Sequence, residues 1–128
     1  MTQADQFLQG RVALVTGATG GGMGRSTALT LALHGADLVL NYGTHRRDGK
    51  ADAASETVAQ AIRNMDRQAL LVKADTRQPE EVASMVQQAV DAFGRVDILV
   101  NNAGGAWAPG DVTETDPEDF RDVVEAEA

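Results

Sequence analysis

The stretch RVALVTGATGGGMG, residues 11–24, decides the fold. Its first half, Arg11–Thr16, is a short and nearly unbroken apolar run, the pattern of a strand buried on both faces. Its second half is a cluster of glycines: Gly17, Gly20, Gly21, Gly22 and Gly24. Gly22–His34 then reads as a helix, with Ala28, Leu29, Leu31, Ala32 and Leu33 as a broad apolar face and Gly35 as the stop. A glycine turn between a buried strand and a helix lets the backbone turn sharply and lets the helix pack tightly on the strand. It also exposes helix N-terminal N–H groups to an anion such as a pyrophosphate.

Working outward, the apolar period switches repeatedly. Asp37–Tyr42 is a second strand, Asp52–Met65 a helix and Gln68–Ala74 a third strand. Pro79 opens a helix that runs to Phe93, with Val82, Met85, Val86, Ala89, Val90 and Phe93 on one face and Gly94 as the stop. Val96–Asn101 is a fourth strand, Gly104–Gly110 a glycine-rich loop, and a last helix starts near Pro117. The order βαβαβαβα implies an α/β fold, with a parallel sheet, right-handed crossovers and helices on both faces.

Composition narrows the chemistry. The 128 residues suffice for one globular domain, so residues 1–128 read as a single unit. There is no cysteine, hence no disulfide, thiolate nucleophile or thiolate-bound metal. His34 and His45 are too isolated for a metal site. No apolar run reaches the length of a membrane span, and Met1–Gly10 has no signal-peptide pattern, so a cytoplasmic protein without membrane contact is expected. The net charge of −8 is concentrated in residues 111–128, where eight acids face Arg121 alone. That balance argues against nucleic acid as a partner.

Two further motifs stand in register with the glycine turn: Asp97-Ile98-Leu99-Val100-Asn101-Asn102-Ala103-Gly104, and Asp75-Thr76 after the third strand. With Thr16-Gly17 and Gly22-Met23-Gly24, they resemble the short-chain dehydrogenase/reductase family. Four residues, Ala18–Gly21, stand where that family's turn usually has three, which implies an enlarged turn. The resemblance implies a Rossmann-type sheet of strand order 3-2-1-4, ending before the family's second half. It further implies an NAD(P)-dependent oxidoreductase that moves hydride between nicotinamide and a carbonyl or alcohol, as in the similar 3-oxoacyl-carrier-protein reductases. Carried over residue by residue, the cofactor-binding set is Gly17, Thr19, Gly22, Met23, Gly24, Tyr42, Arg46, Asp75, Thr76, Asn102, Ala103 and Gly104. Asp75 would receive the adenine amino group. Taken alone, Asn101 and Asn102 would read as turn residues bonding their own backbone.

Strand two ends without the acid that binds the ribose hydroxyls of NAD, and Arg46 and Arg47 follow, so NADP is favoured over NAD. The family's catalytic Ser and Tyr-x-x-x-Lys are expected to be missing. Tyr42 is the only tyrosine, Arg46 stands four residues on, and Ser26, Ser55 and Ser84 fall at surface or packing positions of helices. Aligning the last helix puts Glu127 where the family usually has an Asn that holds a relay water. The chain is therefore read as the cofactor-binding half of a longer oxidoreductase, a fragment or short gene product, with no catalytic residue of its own and inactive alone. The alternative is a non-catalytic dinucleotide-binding or regulatory module that pairs with a full-length relative. In either case the edge of strand four invites self-association or pairing with another chain.

Overall fold

The computed structural model describes residues 5–20, 22–43, 50–104 and 110–127, without the side chains of residues 50, 51, 126 and 127. Four parallel strands, β1 (Val12–Val15), β2 (Asp37–Tyr42), β3 (Ala69–Lys73) and β4 (Ile98–Val100), form one sheet in the order β3-β2-β1-β4. They alternate with helices α1 (Met23–Leu33), α2 (Lys50–Arg63), α3 (Pro79–Phe93) and α4 (Pro117–Glu127). The expected strand order and α/β architecture are therefore the observed ones.

Alternation along the strands divides the core in two. Ala13, Val15, Leu38 and Leu40 face Ala28 and Ala32 of α1 and Val58, Ala59 and Ile62 of α2. Val12, Leu14, Val39 and Val72 face Met85 and Ala89 of α3. Because both faces are covered, β1 is buried at every position, as its unbroken apolar run requires. Leu14, Leu38, Leu40 and Ile62 are fully buried, each contributing about 1.5–3 kcal/mol of transfer free energy.

Local signals set the helix ends. Gly35, at φ +107°, follows the C-cap His34, and the Gly35 and Ala36 amides donate to the carbonyls of Ala32 and Leu31. This is the double closure that a left-handed residue permits. Pro79 starts α3 and Gly94, at φ +78°, ends it. Asp66 takes the left-handed conformation in the turn after α2, so that helix stops at Arg63, two residues short of the expected Met65.

β4 is shorter than the expected Val96–Asn101, and the reason lies at both ends. Before it, the Val12 amide donates to the Asp97 carboxylate at 2.8 Å, where a backbone carbonyl would have continued the ladder. After it, the Asn102 amide donates to the Thr16 hydroxyl at 3.0 Å. Among the described residues β4 pairs with β1 only, and Leu99 is 58% exposed.

Candidate functional site

The carboxyl ends of β1 and β4 meet at the point where the strand order reverses, the place in an open parallel sheet where ligands sit. Thr16 locks the two ends together. Its hydroxyl accepts from the amides of Asn102 (3.0 Å) and Ala103 (2.9 Å) and donates to the Val100 carbonyl at 3.4 Å. The Asn102 side-chain amide returns across the gap, donating to the carbonyls of Thr16 and Gly17, each at 3.2 Å. Asn102 thus bonds a neighbouring strand end through its side chain, where its residue type alone suggests a local turn.

Two glycines make this approach possible. Gly17 has φ +61°, and a Cβ on it would lie 3.0 Å from the Ala103 Cα. A Cβ on Gly24 would lie 2.3 Å from the Gly17 carbonyl oxygen and 2.4 Å from the Asn102 side-chain nitrogen. The start of α1 is therefore seated directly on the turn and on Asn102. Gly20 and Gly22 have open space where a Cβ would go, so the enlarged turn keeps its close contacts through Gly17 and Gly24.

Asn41 supports the turn from below. Its side-chain oxygen accepts from the Gly17 amide at 3.2 Å, and its side-chain nitrogen donates to the carbonyls of Val72 (3.3 Å) and Ala74 (3.1 Å). Its own carbonyl accepts from Ala18 at 2.8 Å. Asn41 is buried, so these bonds satisfy a group whose unpaired burial would be costly. Neither Asn41 nor Thr16 stands in the cofactor set predicted from sequence. For Asn41 the available signal was a lone amide inside the apolar run Asp37–Tyr42.

Of the predicted contact residues, Gly17, Thr19, Gly22, Met23, Gly24, Asn102, Ala103 and Gly104 fall around this junction, whereas Tyr42 closes β2 and Asp75 and Thr76 follow β3. Thr19 is buried beneath the turn, whereas Met23 is 80% exposed at the start of α1. The N-cap of α1 is Gly22, which has no side chain to satisfy the first-turn N–H groups, and that turn carries no acid. This suits a pyrophosphate, whose charge those N–H groups and the helix dipole stabilise. Ala103 is half-buried and Gly104 exposed on the opposite wall. Arg46, with Thr44, His45 and Arg47, lies outside the described residues.

At the end of β3, Asp75 is buried and already engaged. The Arg77 guanidinium donates through Nε (3.1 Å to Oδ1) and Nη2 (3.0 Å to Oδ2), and the Arg77 amide donates to Oδ1 at 2.9 Å. The Asp75 hydrogen bond raises the Arg77 pKa, against a smaller effect of burial, and the charges of Asp75, Asp122 and Glu125 raise it further. Asp122 and Glu125 place the acidic face of α4 within electrostatic range of this corner. Thr76, beside Asp75, is exposed. The side chain of Glu127 lies outside the described residues.

Asp97 anchors the near end of β4. Its carboxyl is held below the ordinary range, first by the Arg95 guanidinium and then by the Val12 amide. Ser55 is buried and donates to the Asp52 carbonyl at 2.7 Å, while Ser26 and Ser84 are exposed. All three serve packing or surface positions, as expected.

The short chain dehydrogenase family model matches residues 11–127. A hydroxynaphthalene reductase of Aspergillus fumigatus is 39% identical over 117 residues, 91% of this chain and 40% of that protein. The peroxisomal multifunctional enzyme type 2 of Drosophila melanogaster is 47% identical over 108 residues, 81% of this chain and 17% of that protein. Among solved structures, a short chain dehydrogenase from Burkholderia cenocepacia in complex with NADP superposes with a TM-score of 0.81 at 34% identity, covering 93% of this chain and 45% of that one. A blue fluorescent protein from a metagenomic library, in complex with NADPH, gives 0.81 at 31% identity over 94% of this chain and 47% of that one. The chain thus spans less than half the length of these relatives. Within that span the strand order, the glycine turn and the Asn102 loop agree with the family match, and the chain belongs to the short-chain dehydrogenase family.

Proposed function

We propose that residues 1–128 form one NAD(P)-binding unit of an oxidoreductase acting on a carbonyl or an alcohol, with NADP as the preferred cofactor. The observation that carries this is the close seating of α1 on Gly17 and Asn102, which brings uncapped N–H groups to the strand-order reversal. Gly17, Thr19, Gly22, Met23 and Gly24 form the pyrophosphate turn. Asn102, Ala103 and Gly104 form the facing wall. Tyr42 and Arg46 serve the adenosine ribose, and Asp75 and Thr76 serve the adenine. When bound, the nicotinamide supplies or accepts the hydride; these residues bind and orient it.

The preference for NADP rests on the end of β2, where Asn41, Tyr42 and Gly43 offer no carboxylate to ribose hydroxyls. The solved relatives with NADP and NADPH fit that preference. The chain has no Tyr-x-x-x-Lys, its only tyrosine being Tyr42, so it binds dinucleotide without turning over substrate by itself. A substrate of the 3-oxoacyl-carrier-protein kind belongs to this proposal. Titrating the chain with NADPH and with NADH, followed by dinucleotide fluorescence, tests it. Saturable binding of both, tighter for NADPH and with no NADPH oxidation on adding a carbonyl substrate, is expected. Absence of saturable binding by a folded chain refutes it.

Among the described residues β4 pairs with β1 only and Leu99 is exposed, which supports a second element of the proposal: pairing of this edge with another chain. Sedimentation velocity should show concentration-dependent association. A monomer at every concentration excludes it.

A further inference from the structure

Tyr42 and Lys73 close β2 and β3 and are register partners in the parallel ladder. Their side chains share the sheet face that packs on α2, as those of Leu40 and Leu71 do deeper in the core. Tyr42 stands twenty positions past Gly22, where a dinucleotide fold places the group that meets the adenosine ribose. None of Asn41, Tyr42 and Gly43, the last described residues there, carries a carboxylate. A lysine ammonium lies beside this strand end, with Nζ 5.9 Å from the centre of the Tyr42 ring. The same nitrogen is 3.3 Å from the Asp52 carboxylate in the first turn of α2.

That ion pair is open to solvent, the Lys73 and Asp52 side chains being 46% and 57% exposed. Pairs of this kind hold their geometry weakly, so the ammonium is available to a stronger anion within reach of its four-carbon stem. A ribose 2′-phosphate is such an anion, whereas a neutral 2′-hydroxyl offers the ammonium one hydrogen bond and no opposite charge. We propose that Lys73 is a specificity-determining residue for NADP over NAD, exchanging Asp52 for the 2′-phosphate across the Tyr42 ring. The inference rests on the dinucleotide-binding function proposed above and adds a residue to it. It stands independently of the arginines of the following loop.

The test titrates the full chain, wild type and Lys73→Met, with NADPH, NADH, adenosine 2′,5′-bisphosphate and adenosine 5′-monophosphate. Thermal melts confirm that each variant is folded. Lys73→Met should weaken the two ligands that carry a 2′-phosphate about tenfold, the loss of one exposed charge-assisted contact, and leave the other two within about twofold. Lys73→Arg, which keeps the charge, should restore most of the loss. An unchanged NADPH-to-NADH ratio in folded Lys73→Met overturns this inference alone. So does an equal loss for all four ligands. A folded wild type that binds none of the four overturns the dinucleotide-binding proposal and this inference with it.

Discussion

Replacing Gly24 by alanine puts a methyl carbon 2.3 Å from the Gly17 carbonyl oxygen and 2.4 Å from the Asn102 side-chain nitrogen. The first obstacle is main chain at a φ of +61° and cannot swing aside. The second is an amide held by two hydrogen bonds. Either α1 lifts off the turn or Asn102 is expelled. Overpacking of this kind costs about 1–3 kcal/mol. Loss of the two Asn102 bonds adds about 1 kcal/mol each. The better helix propensity of alanine returns at most about 1 kcal/mol. The net expectation is a destabilisation of about 2–4 kcal/mol, read as a lower urea midpoint at unchanged slope. Dinucleotide affinity should fall with it, because the crevice walls are set by the same contacts. Gly20→Ala is the control, since open space surrounds that position, and it should stay within about 0.5 kcal/mol of wild type. A Gly24→Ala protein with the wild-type midpoint and undiminished NADPH binding would refute the claim that α1 is seated on Asn102.

Asn41→Leu keeps the side-chain volume but leaves the Gly17 amide and the Val72 and Ala74 carbonyls without their partner; urea unfolding should show a loss of about 2–4 kcal/mol, and a change below 1 kcal/mol contradicts the bracing role. Asp97 titrates below the ordinary carboxylate range when folded, so its stabilisation is complete above the unfolded value and is lost as pH falls through the lower folded one. The stability gap between wild type and Asp97→Asn should therefore be widest near neutrality and narrow through about pH 4 and below; a gap independent of pH would show that the Arg95 and Val12 contacts do not favour the ionised carboxylate in the fold.

The fold was legible because buried parallel strands leave a coarse signature. Arg11–Thr16 and Asp37–Tyr42 are apolar runs that end in glycine or a glycine-led loop; the helix between them has glycine at both ends, and α3 has proline at its start and glycine at its stop. What was not legible is where a ladder stops. That Asp97 would offer its carboxylate to Val12, and Thr16 its hydroxyl to Asn102, depends on partners 85 and 86 positions away. Apolar periodicity carries no record of such exchanges, so β4 reads three residues longer than it is.

The site divides the same way. Gly17, Gly20, Gly21, Gly22 and Gly24 look alike in a string of letters, yet of the four with a described environment only Gly17 and Gly24 are compelled by neighbouring atoms. The motif marks the junction without saying which glycines shape it. Asp75 shows the converse: it is the residue proposed above to serve the adenine, while Arg77, two places on, already holds both of its oxygens. A ligand at that corner must therefore meet an aspartate–arginine pair rather than a lone carboxylate, with the acidic face of α4 pulling on the same guanidinium. Two ion pairs stand at this end of the sheet, Asp75 with Arg77 and Asp52 with Lys73. In each the cation that a phosphate or a base would meet is brought there by the turn or the strand register, not by the motif that marks the family.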